Sequence, residues 1–377
     1  MALRTGFLTV ITLGLYRFWM KTRLRRWYWS AIRIGGTPLE YVGDPIEKLL
    51  GFLIAVVILA FYIGIVNLLL MFASFSLFQG NTIAYLVSLA GVVPLWFYAQ
   101  YRARRYVLAR TRWRGLRFGL EPGAWGYAAR ALWHWALTIL TAGLLWPRMT
   151  FWLEKYRTDR TSYGTERLVQ DGRWQMLYPA TKWLFLGFAL AAATAGAAVS
   201  GNLRMSFGLG FAAAAVLAYG LVYYRVETLR RLTATKRLGD LRLTVDPSPR
   251  RILFIHVFGY LLAGLAASIP LGALGLVLVA AQSVDTLSHM GVDGDLAVLS
   301  GIDRWVIIAF SVAVYFAVFL LWSALTHALI TMPVTRHYAE TLRIDGTEGL
   351  RSIRQRPRDE HIEAEGFAEA LDVGASI

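Results

Sequence analysis

The side chains of this chain that could do chemistry inside an apolar phase are few. His256 and His327 fall in long apolar runs, and His134 falls with Arg130 in a shorter one. Ionisable groups held in hydrocarbon are costly, so they mark proton relays, counter-ions or solute paths. The plainer reading is that each histidine lies near enough to the end of its run to reach the interface. No Asp or Glu falls inside a clear apolar run, which disfavours a carrier built on a buried carboxylate. The six histidines are scattered, with no H-x-x-x-H or E-x-x-H spacing, so converging metal donors are not expected. No G-x-S-x-G elbow or phosphate-cradling G-x-x-x-x-G-K is present. The chain has no cysteine, which excludes disulfides and thiol chemistry. No enzyme, metal or cofactor is therefore expected. Asp285, His289, Asp293, Asp295 and Asp303 read as a solvated acidic loop, and Asn67 as a hydrogen bond between helices.

The elements that carry these residues are apolar helices. Of the 377 residues 56% are hydrophobic and only 17% charged, against about 25% charged in an ordinary soluble domain. Six stretches come near the roughly 20 apolar residues that span a bilayer: Leu49–Phe72, Ile83–Ala99, Trp183–Ser200, Phe207–Tyr224, Ile252–Ala281 and Trp305–Met332. Aromatic residues such as Trp96, Tyr98, Trp183, Tyr224 and Trp305 sit near their ends, where an interfacial belt belongs. Leu3–Tyr16 is short for a span, and Trp125–Trp146 carries Arg130 and His134.

Net charge is +15, and its distribution decides its meaning. Five clusters, Arg17–Arg33, Arg102–Arg117, Arg148–Arg173, Arg225–Arg251 and Arg336–Arg358, hold 33 of the 39 basic residues. The intervening loops are poor in Lys and Arg. Six spans place all five clusters on one side, cytoplasmic by the positive-inside rule, with both termini there. A full crossing by Trp125–Trp146 would split clusters two and three, so that segment and Leu3–Tyr16 are expected to be re-entrant or interfacial. Gly143 and Pro147 supply the break in the former. Basic residues pinned at a bilayer surface argue against nucleic acid and for anionic lipid.

The clusters also share a pattern. A shift of 129 residues lays Thr12, Gly14, Met20 and Arg26 over Thr141, Gly143, Met149 and Lys155. A shift of 125 lays Tyr98, Arg105, Arg112 and Arg117 over Tyr223, Arg230, Arg237 and Arg242. Residues 1–120 and 121–246 read as two versions of one membrane unit, 247–350 as a half unit with two spans, and 351–377 as an acidic cytoplasmic tail. Each cluster ends in an alternating run around a glycine turn, at Gly35-Gly36, Gly115, Gly164, Gly239 and Gly346. Five small hairpins are expected there, packed together or on helix ends.

Thr12-Leu13-Gly14-Leu15-Tyr16-Arg17-Phe18-Trp19, the block Arg102–Arg105 with Thr111–Phe118, and Gly366–Asp372 resemble the YjgN-like family of bacterial inner-membrane proteins. The resemblance covers nearly the whole chain and implies location and architecture without an activity. The fold expected is therefore an all-α polytopic membrane protein: six transmembrane helices plus two re-entrant or interfacial helices in repeated units, with short cytoplasmic β-hairpins. The function expected is passive or lipid-handling transport in the bacterial inner membrane. Arg23, Arg26, Arg102, Arg105, Lys155 and Arg230 would contact anionic headgroups or solutes. The alternative is a non-catalytic scaffold that recruits a cytosolic protein partner through its basic face.

Overall fold

A computed structural model of the chain describes residues 2–12, 15–61, 64, 65, 68, 69, 71–73, 81–289 and 304–356. The chain divides into two units, Met1–Met20 with Arg251–Arg336 and Lys21–Arg250 with His337–Ile377. In chain order the elements open with α1 (Ala2–Ile11), α2 (Arg17–Ala31), β1 (Arg33–Ile34) and β2 (Thr37–Tyr41). Next come α3 (Pro45–Phe61), α4 (Asn81–Ala109), β3 (Thr111–Trp113) and β4 (Leu116–Leu120), then α5 (Ala124–Leu140), α6 (Trp146–Thr158), β5 (Thr161–Tyr163) and β6 (Glu166–Gln170). A 3-10 segment, Trp174–Thr181, leads into α7 (Lys182–Val199), followed by α8 (Leu203–Ala234), β7 (Lys236–Leu238) and β8 (Leu241–Val245). The described chain ends with α9 (Pro249–His289), α10 (Arg304–Thr326), a π turn at His327–Thr331, α11 (Met332–Thr341), β9 (Leu342–Asp345) and a 3-10 turn at Thr347–Arg351.

The protein is mostly helical but not all-α. The hairpins join edge to edge into one nine-stranded antiparallel sheet in strict sequence order, β1 to β9. The physical reason is the edge: a lone two-stranded ribbon leaves a row of backbone donors and acceptors unpaired on each side, and its neighbour satisfies them. Four of the expected turns are hairpin turns, with Gly36, Gly115, Gly164 and Gly239 all at positive φ. The fifth is not. Gly346 ends the single strand β9, and the chain passes into the 3-10 turn instead of returning.

One backbone joint recurs where hairpins meet. The residue after each second strand donates its N–H to a carbonyl just before the next hairpin or strand: Val42 to Arg110, Glu121 to Arg160, Asp171 to Thr235 and Asp246 to Thr341. Strand periodicity then sorts the side chains. Leu39, Trp113, Leu116, Phe118, Tyr163, Leu168, Leu238, Leu241 and Ile344 share one core, closed by Leu350 and Ile353 of the C-terminal segment. The alternate positions include Glu40, Arg112, Arg117, Ser162, Arg167, Arg237 and Arg242.

Among the described residues four helices are long and apolar enough to cross a membrane: Trp174–Val199, Leu203–Ala234, Pro249–Val279 and Trp305–Thr341. They correspond to four of the six expected spans, Ser200 and Ala281 falling just beyond the ends of two of them. Leu49–Phe72 begins in α3 and runs through residues outside the described set. Ile83–Ala99 lies in α4, where the side chains of residues 81–90 are likewise outside it. Many apolar side chains on these helices are exposed, Phe188, Phe207, Phe211 and Ile269 among them, as a hydrocarbon solvent would have them. α7 and α8 approach closely through small residues: a Cβ on Gly220 would sit 3.1 Å from the Leu184 backbone nitrogen.

The segment Trp125–Trp146 is not one continuous helix. α5 stops at Leu140, the chain turns through Ala142 and Gly143 at φ 48° and 88°, and Pro147 opens α6. Thr138 and Thr141 hydroxyls donate back to the His134 and Leu137 carbonyls, and Thr138 also faces the Met149 sulfur at 3.8 Å. At the chain's start Thr9 faces the Met20 sulfur at 3.9 Å, and Thr12 donates to the Leu8 carbonyl. In that smaller unit α1 packs on α10, close enough that a Cβ on Gly6 would lie 2.7 Å from Leu320.

Candidate functional site

Charge is gathered in two arrangements around the sheet. In the first, Glu154 of α6 is buried among three cations. It accepts from Lys236 and Arg157 at 2.7 Å each and lies 3.7 Å from Arg104. Burial pushes the Glu154 carboxyl up, but Lys236, Arg157 and Arg104 outweigh it and hold it well below the usual carboxylate range. Burial likewise works against the Arg157 guanidinium, and Glu154 more than restores it, so its pKa is raised. Arg157 also lies over the Tyr127 ring. This node ties α4, α6 and β7 together.

The second arrangement is a cavity of about 720 Å³ between the polar side of β3–β5 and the ends of α3 and α4. Its walls carry Arg110, Arg112, Arg117 and Arg356 against Glu47 and Glu121, with Val42, Gly119 and Ser162 between them. Both carboxylates are engaged. Glu47 accepts from Arg110 at 2.7 Å and from the Tyr106 hydroxyl at 3.1 Å, while Arg110 stacks over the Tyr106 ring. Glu121 pairs with Arg167 and lies 4.0 Å from Arg356. Arg112 and Arg117 stand directly opposite each other in the β3–β4 register. The Arg112 Nε is buried with no hydrogen-bond partner among the described residues.

The C-terminal segment reaches this cavity by being strapped across the β5–β6 turn. Thr165 donates its N–H to the Arg354 carbonyl at 2.9 Å, and Arg117 donates its own to Gln355 Oε1 at 3.0 Å. Gly164 lies beneath, at φ 54°, where a Cβ would meet the Arg354 carbonyl oxygen at 2.3 Å.

The residues singled out from sequence are not one constellation. His134 is buried in α5, and Arg130 donates to the Gly126 carbonyl at 2.9 Å and lies over the Tyr156 ring. His256 bonds the Ile252 carbonyl of its own helix at 2.8 Å, beside Tyr260. His327 opens the π turn, and its Nδ1 is buried without a hydrogen-bond partner among the described residues. Of the expected headgroup contacts, Arg23 and Arg26 are exposed on α2, and Arg26 donates to the Gly43 carbonyl. Arg102 donates to the Tyr98 hydroxyl at 2.7 Å, and Arg105 is buried. Lys155 bonds the Gln170 carbonyl and Asp159, and Arg230 pairs with Asp246 and Glu227. Asp293, Asp295, Asp303, Asn67 and the tail beyond Arg356 lie outside the described residues, as do the side chains of Asp285 and His289.

Sequence reasoning passed over Glu154, Glu47, Arg110, Arg112, Arg117 and Arg356 as a set. A signal was available for the cavity: an acid follows each later second strand, at Glu121, Asp171 and Asp246, while Val42 follows β2.

A family profile described as bacterial protein of unknown function (DUF898) matches residues 5–282. The chain belongs to that family. The DUF898 match takes in β1 to β8, the Glu154 node, and the cavity walls apart from Gln355 and Arg356. No curated protein and no solved structure matches the chain.

Proposed function

We propose that this protein is a multi-pass, non-enzymatic protein of the bacterial inner membrane that handles anionic lipid headgroups or solutes through a basic sheet on its cytoplasmic side. The observation that carries the reading is the strand order. Tyr41 pairs with Thr111, Leu120 with Thr161, Gln170 with Lys236 and Val245 with Leu342. A stretch whose two ends are neighbouring strands must cross a bilayer an even number of times. Residues 42–110, 121–160, 171–235 and 246–341 therefore each return to the side they left. This supports six spans, in pairs.

The 121–160 excursion fits a dip better than two crossings. α6 has 13 residues, about 20 Å at the helical rise, against a hydrocarbon core of about 30 Å, and it carries Glu154, Lys155 and Arg157. The matched Thr–Met and Thr–carbonyl contacts at residues 9–20 and 138–149 support two copies of one unit, with the chain's first helix as the partner dip. All of the strands stand among the basic clusters, which the positive-inside rule keeps in the cytoplasm.

The test uses the absence of native cysteine. Single cysteines at Val169 on the sheet, Arg204 in the first turn of α8, and Asp295 are challenged in spheroplasts with a membrane-impermeant maleimide. Labelling at 204 and 295 but not at 169 is the expected result. Labelling at 169 before permeabilisation would place the sheet outside and end the reading.

A further inference from the structure

The segments around Thr9–Met20 and Thr138–Met149 share a joint and differ in charge. Each brings a threonine against a methionine sulfur, and the same shift of 129 relates the two pairs. On that alignment His134 and Arg148 fall where the first copy has Thr5 and Trp19. The joint is thus made without either ionisable group, although each is costly to hold near a membrane.

Arg148 stands half-buried in the first turn of α6, just past the Ala142–Gly143 turn. That helix end is uncapped. Leu145 offers it no side-chain bond, Pro147 has no N–H, and Trp146 and Met149 donate theirs to the Gly143 and Leu145 carbonyls. Neither the backbone N–H of Arg148 nor its guanidinium has a hydrogen-bond or ion-pair partner among the described residues. His134 on α5 is only 9% exposed, and its ring also has no hydrogen-bond partner among the described residues. The charge of Arg148 bears on that ring more strongly than the charge of Arg130, one turn back on the same helix, and no carboxylate among the described residues bears on it. Arg130 is already taken up by the Gly126 carbonyl and the Tyr156 ring, and Glu154 by its three cations.

The start of α6 therefore gathers a helix-end amide, a planar guanidinium fork and an imidazole. This donor set suits the oxygens of a phosphate group. Ile139, Leu140 and Leu144, on either side of the turn, are exposed and apolar. A ligand that is anionic at one end and hydrocarbon at the other meets both requirements.

We infer that the α5–α6 turn binds the phosphate of an anionic phospholipid at Arg148 and His134, with the acyl chains along Ile139, Leu140 and Leu144. The site rests on the proposed function only for its membrane setting. Binding is read in purified protein, and sidedness in cells, so the two fail separately.

Full-length protein in neutral detergent is unfolded thermally with phosphatidate in mixed micelles, with phosphatidylcholine, and with soluble glycerol phosphate. The variants are Arg148→Gln and His134→Thr, the latter taking the residue of the first copy. Arg204→Gln, on an exposed arginine of α8, removes the same charge elsewhere. Phosphatidate is expected to raise Tm in the native and Arg204→Gln proteins, and to act with roughly tenfold or more weaker apparent affinity in Arg148→Gln and His134→Thr. An equal shift with phosphatidylcholine, or none with phosphatidate, would overturn the site. A shift with glycerol phosphate alone would overturn it too, by assigning the donors to a soluble anion. So would an undiminished phosphatidate shift in Arg148→Gln, or in His134→Thr should Arg148→Gln not fold.

Discussion

The Glu154 node and the Arg112–Arg117 cavity are built from the same residue types on the same sheet, and they are opposite in design. At the node three cations converge on one buried carboxylate and every charge has a reason to stay. At the cavity the carboxylates are already spent on Arg110 and Arg167, and two arginines face each other across a strand pair. A basic surface can therefore be internal cement in one place and the lining of open space in another. Counting Lys and Arg along a chain does not tell the two apart; partners do.

The comparison can be broken at either end. Glu154→Gln leaves Lys236, Arg157 and Arg104 buried without their counter-charge, a loss of about 3–5 kcal/mol. It should show as a large fall in Tm in detergent. The pH dependence has a definite sign. The folded Glu154 carboxyl is held below its ordinary value, so its stabilisation is fully present above about pH 4.3 and is lost as pH falls through the lower folded value. The Tm gap between native protein and Glu154→Gln should accordingly narrow in acid. A gap that widened would mean that the carboxylate is not what the three cations hold.

A smaller effect is expected where the strap crosses. Gly164→Ala puts a side chain at positive φ against the Arg354 carbonyl, costing about 1–3 kcal/mol. The segment after Gly346 should become cleavable by trypsin while the node keeps its acid profile. Unchanged proteolysis would show that the strap holds through Ile353 alone.

The smallest effect should have the opposite sign. Arg112→Gln relieves the cross-strand repulsion, so without added anion at low salt it should stabilise by about 0.2–1 kcal/mol, and the gain should fade as salt rises. Loss of a charge at the node destabilises; loss of one at the cavity does not. If Arg112→Gln instead lowered Tm as Glu154→Gln does, the two sites would be the same kind of object.

What could be read from the sequence follows from range. Gly36, Gly115, Gly164 and Gly239 announce their turns because a hairpin is a local event decided within a few residues. The α5–α6 break at Gly143 and Pro147 is local too, and apolar length alone marked four of the helices. That the hairpins would pack together or on helix ends was expected, but the order of their joining was not legible: β2 meets β3 across residues 42–110, and nothing in either strand specifies its partner. Gly346 looked like the other turn glycines, yet the chain beyond it has no second strand to offer. Lys155 has a local partner in Asp159, four residues on, whereas Gln170 and Asp246 meet Lys155 and Arg230 from more distant parts of the chain. The Glu154–Lys236 pair spans 82 residues and left no local trace. Val42 did leave one, visible once the joints are aligned.

A sheet whose spatial order is its synthetic order has a history as well as a shape. Emerging from a ribosome, each strand after β1 meets a neighbour that has already been made, and growth is always at the newest edge, opposite β1. Every loop of helix between strands closes by docking on the preceding hairpin, so no strand waits for a partner not yet translated. A nascent chain halted after Asp171 or Asp246 already holds a contiguous set of paired strands. The scaffold can thus be checked one helical pair at a time while the membrane accepts it, and its charged edge advances with the chain.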